Sequence, residues 1–252
     1  MLDKTRCLVW SLAACVVFVP AAQAAGQKKF SIEIEAGPVW QNRNDVRIPN
    51  DTGTKFSMRD IQGSGPFAAA RVYFDYAFRP KHEFRVLAAP LSVTATGPLS
   101  DTTLFAGKTF APGQPVEGTY QFNSYRLTYR YRVFQSDRWT WKIGATGKIR
   151  DAKIALRQGG VSAVDENVGF VPLLHLDGEY RWNQRWRFNL NMDGLAAKQG
   201  RAFDIALKLK YDFARNWTLA AGYRMLEGGA DVQDVYTFAW LHYAVASLAF
   251  RF

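Results

Sequence analysis

Apolar and polar residues alternate along most of the chain after residue 28. In segment 203–213 every odd-numbered residue is apolar or aromatic, and the even-numbered residues, except Ala206, are Asp or Lys. An α-helix would spread these charges around its axis, whereas a β-strand places them on one face. Segments 186–193 and 125–133 repeat the alternation. We therefore predict a series of amphipathic strands.

Two kinds of connection alternate between the predicted strands. Short turns lie near residues 80, 137, 184 and 215, and an aromatic residue stands on each side of every one. The longer loops, rich in Gly, Pro and Asp, are 42–66, 99–118, 159–169, 198–202 and 228–234. Short turns flanked by aromatic girdles, with longer loops at the other end, are typical of a transmembrane β-barrel. A soluble β-sandwich gives no reason for these aromatic pairs.

The turns determine the number of strands. Four short turns join eight strands in pairs, and one more strand at each end gives ten, with both termini on the periplasmic side. The prediction is an all-β fold, a transmembrane antiparallel up-and-down β-barrel of about ten strands. Eight or twelve strands stay open, because segment 55–61 could extend the second strand or form its own. The predicted strands are 29–41, 67–78, 82–97, 119–135, 139–157, 170–182, 186–197, 202–213, 217–227 and 235–252.

The first 24 residues have the pattern of a secretory signal peptide. Lys4 and Arg6 precede the apolar run 8–19, which is too short to span a bilayer comfortably. Ala22-Gln23-Ala24 then supplies a small-x-small cleavage site. We predict a signal peptide at 1–24 and the barrel at 25–252. The alternative is a lipobox at 12–15 with Cys15 as a lipidated N-terminus, but the apolar run continues beyond Cys15, which disfavours it.

Composition excludes several classes of protein. Both cysteines, Cys7 and Cys15, fall within the predicted signal, so no disulfide or cysteine-based metal site is expected. The net charge of +10 would suggest a nucleic-acid partner. An exported barrel does not meet the genome, however, and a mean hydropathy of −0.19 suits a barrel with one lipid-facing residue in two.

The end of the chain resembles a known class of proteins. Leu248, Phe250 and Phe252 alternate up to a terminal Phe. This is similar to the C-terminal signal of Gram-negative outer-membrane β-barrels, which their insertion machinery reads. The resemblance implies a place in the cell outer membrane, with the insertion machinery, membrane lipid and lipopolysaccharide as partners. It is specific for the class and for no named family.

Strand parity places two groups of charged side chains inside the barrel. If Phe252 faces lipid, His242 does too, and the same alternation on the other strands turns most charges inward. The predicted basic wall on the fourth and fifth strands is Arg126, Arg130, Arg132, Lys142, Lys148 and Arg150. The predicted acidic and histidine group is Glu33, Glu35, His175, Asp177 and Glu179.

Three classes of function follow from this interior. The charges pair and plug the lumen, giving a structural barrel, or the basic wall draws anions into a narrow porin-like pore. An envelope enzyme hydrolysing lipid or peptide is the alternative; barrels of this class include the ten-stranded omptin proteases. His175 with Asp177 is the only plausible acid–base pair here. A structural histidine in an internal network is the favoured interpretation of His175, and we assign no catalytic residue. Surface recognition through the long first loop is the third class.

The motifs of cofactor and metal sites are missing from the sequence. We find no nucleotide-binding fingerprint, EF-hand or zinc spacing, and we predict no cofactor, no metal and no nucleic-acid partner. The oligomeric state, the solute and the state of the lumen stay open.

The barrel assignment makes a first prediction. A closed barrel resists detergent denaturation until it is heated, because every strand is paired on both edges. We expect the unheated protein to migrate faster than the boiled protein on a detergent gel. Identical migration, together with recovery from the soluble periplasmic fraction, would contradict the barrel.

Overall fold

Neighbouring strands pair antiparallel, and together they form a closed barrel. The computed structural model describes residues 28–252. The strands are β1 (Phe30–Arg47), β2 (Phe56–Ser57), β3 (Phe67–Arg79), β4 (His82–Ala89), β5 (Ser92–Pro98), β6 (Thr103–Phe105), β7 (Lys108–Phe110), β8 (Pro115–Gln135), β9 (Trp139–Gln158), β10 (Val161–Arg181), β11 (Trp186–Ala197), β12 (Gly200–Ala214), β13 (Trp217–Asp231) and β14 (Tyr236–Arg251). One helix, α1, spans Met58–Gln62.

Pairing of β1 with β14 closes the barrel, from Ser31 opposite Arg251 up to Arg47 opposite Tyr236. β4 and β5 both pair with β8, so they are two halves of one barrel strand. The strand breaks at 90–91, where Pro90 has no N–H to donate. Counting β4 and β5 as one gives ten strands around the circumference, which confirms the predicted fold.

Two predicted loops are in fact tight turns. The loop expected at 159–169 was wrong: β9 and β10 pair up to Gln158 and Val161, so only residues 159–160 form the turn. Gly159 has φ +56°, a left-handed conformation that glycine adopts without strain. Likewise only residues 198–199 separate β11 from β12. The first prediction failed because the upper part of β10 lies above the lipid and carries polar residues on both faces, such as Asp165 and Glu166. The second failed because residues 200–202 show no alternation, although they pair with β11.

The two longest loops fold into a cap over one side of the barrel mouth. The segment 55–61, predicted as a strand or an extension of one, forms the short strand β2 paired with β1 and then helix α1. Met58 and Ile61 of this helix are buried in one apolar cluster with Phe105 and Phe110 of the β6–β7 hairpin. The first loop is therefore part of a core rather than a free arm.

The outer surface changes from apolar to polar at a definite level. Within the apolar band, residues such as Leu127 are more than half exposed on the outer face. Above it, Gln121 and Asn123 on β8 both donate hydrogen bonds to Asp151 on β9, at 3.0 and 2.9 Å. These outward polar groups mark the upper boundary of the lipid. Among residues 28–252, no helix has the length and hydropathy needed to cross a bilayer.

His242 lies in an aromatic belt near this upper boundary. Its ring packs against those of Trp240 and Tyr223, with centroids 5.1 and 5.9 Å apart, and Nδ1 is hydrogen-bonded to the Tyr223 hydroxyl. Trp40 stands opposite His242 in the register of β1 and β14. Amphipathic rings are favoured at membrane interfaces, which accounts for an outward-facing histidine that sequence parity left unexplained.

The level of the lipid can be tested with two outward substitutions. Leu127→Arg places a charge near the middle of the bilayer, so we expect it to lower the free energy of unfolding by about 2–4 kcal/mol. Val168→Arg is the matched control, because Val168 is 70% exposed and stands opposite Asp151, above the apolar band. For this control we expect a loss of about 0–1 kcal/mol. Urea unfolding in phospholipid vesicles measures both, and equal losses would refute the assigned level.

Candidate functional site in the barrel lumen

Charged side chains fill the middle of the lumen and meet one another across it. Eight of them form what we call the central network. It contains four cations, Arg71, Arg126, Lys208 and Arg224, and four carboxylates, Glu33, Glu35, Asp193 and Asp204. All eight are less than 10% exposed. The charges of the network therefore cancel.

Asp204 on β12 is the centre of this network. Its Oδ2 accepts hydrogen bonds from Arg71 Nη1 at 2.8 Å and Arg126 Nη2 at 2.7 Å. Arg224 Nη1 donates to its other oxygen, Oδ1. Strand alternation turns Asp204 inward between Phe203 and Ile205, which belong to the outer face. One carboxylate thus binds arginines from β3, β8 and β13, which come from different sides of the barrel.

Glu35 holds the β1 side of the network. Arg224 donates to both of its oxygens, from Nε at 3.0 Å and Nη2 at 3.1 Å. Lys208 Nζ lies 2.6 Å from Glu35 Oε2 and 2.6 Å from Glu33 Oε1. The Tyr73 hydroxyl accepts a further bond from Arg224 at 2.8 Å. The two acids that neighbour each other on β1 thus share one lysine.

His175 pairs with Asp193 of the neighbouring strand β11, not with Asp177. The distance from His175 Nδ1 to Asp193 Oδ1 is 2.7 Å, and Thr146 Oγ1 donates to the same oxygen at 2.8 Å. Arg126 occupies the other oxygen of Asp193. His175 is therefore part of an internal network, as the sequence favoured, and the alternative pair with Asp177 is not formed. The His175 side chain is 1% exposed, which places it inside the central packing and away from any surface.

A second set of ion pairs lies below the central network, toward the short turns. Asp75 accepts from Arg85 Nε and from Arg130 Nη2, both at 2.6 Å. Glu83 pairs with Arg130 and accepts from Lys142 Nζ at 2.6 Å. The remaining acids of this level are bound by their neighbours: Asp177 accepts from Asn189 and Asn191, and Glu179 pairs with Arg187 and Lys210.

The six cations of the predicted basic wall occupy different environments. Arg126, Arg130 and Lys142 are paired with acids from other strands, as described above. Arg132 donates to the carbonyl of Pro80 at the short-turn rim, and Arg150 donates to Asn167 above the lipid. Lys148 is buried with its Nζ 4.6 Å from the centre of the Phe122 ring. The wall is present on β8 and β9, but acids face half of it.

Sequence reasoning missed the partnerships across the lumen. Strand parity turns Arg71, Asp204 and Arg224 inward but gives no reason to choose them as site residues. Asp193 is only the last polar position of the alternating segment 186–193. Alternation predicts on which face of its strand a side chain lies. The pairing of side chains from non-adjacent strands depends instead on the diameter of the barrel and the stagger of its strands.

The central network separates two cavities. The lower one, of about 260 Å³, opens at the short-turn end between polar residues such as Glu83, Asp177 and Arg251. The upper one, of about 520 Å³, has mostly apolar walls, including Phe122, Leu173 and Leu226. Arg126 and Asp204 form its floor. At its upper wall, partial burial raises the pKa of Asp165, and nearby Arg150 opposes this shift.

The described residues do not gather as metal ligands. In the range 28–252 no group of three or more His, Asp or Glu side chains is placed to hold a metal ion. The residues of the predicted C-terminal assembly signal lie on the outer face. Leu248 and Phe252 are 41% and 48% exposed, and Phe250 packs against Trp217 with ring centroids 4.6 Å apart. The predicted signal peptide, residues 1–24, lies outside the described range.

Comparisons with known proteins show similarity of fold. No family model and no curated protein matches the chain. Among solved structures, the outer membrane protease OmpT from Escherichia coli superimposes with a TM-score of 0.55 at 8% identity, over 89% of this chain and 97% of that one. Ail, the attachment invasion locus protein of Yersinia pestis, is 10% identical with a TM-score of 0.38, over 90% of this chain and 100% of that one. The chain is an outer-membrane β-barrel protein of the Gram-negative type.

The contribution of the central network to stability can be measured by removing one negative charge. Asp204→Asn keeps the shape of the side chain but leaves three buried arginines short of a carboxylate. We expect the free energy of unfolding to fall by about 3–5 kcal/mol. Glu166→Gln is the control, because Glu166 is 62% exposed in its ion pair with Lys153 and should change stability by less than about 1 kcal/mol. If Asp204→Asn lowers the free energy of unfolding no more than Glu166→Gln does, the network does not stabilise the fold.

Proposed function

We propose that this protein is a structural outer-membrane barrel whose lumen is closed to ions and solutes. The observation that supports this is the central network, a layer of buried, mutually paired charges between the two cavities. Its members come from β1, β3, β8, β11, β12 and β13, so the side chains reach inward from around the barrel. A path from one cavity to the other has to break these pairs.

The energetics of buried charges also favour a closed lumen. Breaking one buried pair by removing a partner costs about 3–5 kcal/mol, because the remaining charge is left uncompensated. Arg126 and Arg224 each bind two carboxylates, so moving either arginine aside disrupts two pairs at once. Thermal motion therefore opens such a layer rarely.

A narrow anion-selective pore is the weaker alternative. It requires a run of cations that is free to attract anions along a hydrated path. Arg126, Arg130 and Lys142 are instead neutralised by acids on facing strands. The cations that remain without a carboxylate are at different heights and do not line a continuous path.

An enzymatic role finds no support in the lumen. His175 and Asp193 form the one histidine–carboxylate pair within residues 28–252, and both are buried within the central packing. General acid–base catalysis needs a group within reach of substrate. The fold shared with a protease carries no residue across at 8% identity.

Planar-bilayer recording tests the closed lumen. We expect the wild-type protein to give no conductance steps at any moderate voltage, because the central network blocks the path. Regular single-channel steps from purified protein would overturn the proposal, and anion preference of such steps would favour the basic wall instead.

A variant with a shortened network is the positive control for insertion. Replacing Arg126, Asp204 and Arg224 together by Ala removes the side chains that cross the lumen, and we expect steps to appear. The faster migration of unheated protein on a detergent gel reports whether this variant is folded. A folded variant that stays silent would show that the network is not what closes the barrel.

A further inference from the structure

The barrel wall is incomplete on one side above the middle of β10. Pairing between β10 and β11 runs from Arg181 opposite Arg187 up to Leu174 opposite Gly194 and ends there. β10 nevertheless continues upward to Val161, paired only with β9. Its edge over residues 161–173 is therefore free of a strand partner, and Pro172, which has no N–H, lies on this edge.

This gap begins within the apolar band, because Pro172 at its lower end stands opposite Gly147, which in turn stands opposite Leu127. Leu174 is 64% exposed on the outer face, and Phe170, four residues higher on the same face, is 66% exposed. Val168, the next outward residue, stands opposite Asp151, which belongs to the polar zone above the apolar band. The gap thus extends from the apolar band up to the headgroups of the outer leaflet.

The upper cavity extends to the gap. Its lining includes Phe170, Pro172 and Leu173 on the free edge of β10 and Leu195 and Ala197 on the facing strand β11. At about 520 Å³ it lies within the roughly 300–1,000 Å³ typical of small-molecule sites. An apolar chain in the outer leaflet can therefore reach the cavity sideways, without crossing the polar mouth.

The cavity also contains a buried cation that lacks an anion. Lys148 lines it and is only 3% exposed, and Nζ forms no ion pair or hydrogen bond with any residue in the described part of the chain. Lys148 Nζ faces the Phe122 ring, 4.6 Å from its centre. One pleat higher, Arg150 also lines the cavity, and its Nε has no hydrogen-bond partner within residues 28–252. Buried charges are normally paired, so the ammonium group of Lys148 is placed to receive an anion.

We propose that the upper cavity binds a single-chain amphiphile from the outer leaflet, with a carboxylate or phosphate head at Lys148 and Arg150. The alkyl chain packs against the apolar wall formed by Phe122, Leu173 and Leu226 and leaves through the gap. A head with negative charge supplies the partner that Lys148 lacks. The proposal goes beyond a structural barrel and does not depend on whether the central network conducts.

Binding of defined amphiphiles to the folded barrel tests this site. Native mass spectrometry of the protein released from nonionic detergent counts bound molecules, with dodecanoate and dodecyl phosphate as the two anionic probes. We expect one molecule per barrel and at least tenfold weaker binding of dodecyltrimethylammonium, because its head repels Lys148. Preference for dodecanoate indicates a fatty acid as the natural source, and preference for dodecyl phosphate a phosphate-bearing lipid. Equal binding of cation and anions, or no binding, overturns the proposal.

Three variants locate the bound molecule. Lys148→Met removes the charge and keeps the length, and we expect about tenfold weaker binding of both anionic probes. Lys148→Arg restores the charge and should recover binding. Lys108→Met is the matched control, because it removes the same charge from the exposed first residue of β7 and should leave binding unchanged. Unaltered binding by a folded Lys148→Met protein overturns the site.

A cavity-filling variant tests the same site without touching a charge. Ala202 on β12 lines the upper cavity, so Ala202→Phe occupies part of its volume. We expect this variant to lose the bound molecule while it keeps the faster migration of unheated protein. If the probes bind Ala202→Phe as tightly as wild type, they sit elsewhere, and the proposal is wrong.

Discussion

Lipid offers no hydrogen-bond partners to a polypeptide backbone, so a sheet placed in it has to close on itself. In this protein closure is made by β1 and β14, paired from Ser31–Arg251 upward. After closure, every second side chain of the ten strands points into a narrow space that is shielded from solvent. Charges placed there are stable only when they neutralise one another, and the lumen is organised around this requirement. Asp204, with its three arginines, is the point at which the requirement is met most densely.

The two ends of the lumen are filled by side chains of different chemical character. Toward the short turns, carboxylates and guanidinium groups alternate, and the lower cavity is polar. Toward the loops the interior becomes apolar, with Val39, Leu226 and Leu241 in one cluster and the cap formed by α1 and the β6–β7 hairpin in another. Lys148 lies at the border between the two halves. A cation at such a border has lost water above, and Asp204 below it is already bound by three arginines, which is why Lys148 stands out among the cations of its wall.

Much of this architecture is readable from alternation, and the exceptions have physical reasons. Parity placed Arg126 and Glu35 inside correctly, because the period of a strand is two wherever one face meets lipid. It failed over 159–169, where β10 rises above the lipid and no apolar face is required. It also offered Asp177 as the one candidate acid–base partner of His175, since residues two apart on one strand share a face. The actual partner, Asp193, is adjacent only once β10 and β11 are in register.

The cancellation of charge within the central network has a consequence for the rest of the surface. Because eight of the interior charges sum to zero, the excess of basic residues in the chain is carried elsewhere. Part of it stands at the short turns, where Arg79, Lys81, Arg138, Arg185 and Arg215 are all exposed. This rim is at the level of the inner-leaflet phosphates, which attract such residues by about 1 kcal/mol each. The barrel is thereby held at a fixed depth, and its vertical position is set by a ring of cations as well as by the height of its apolar band.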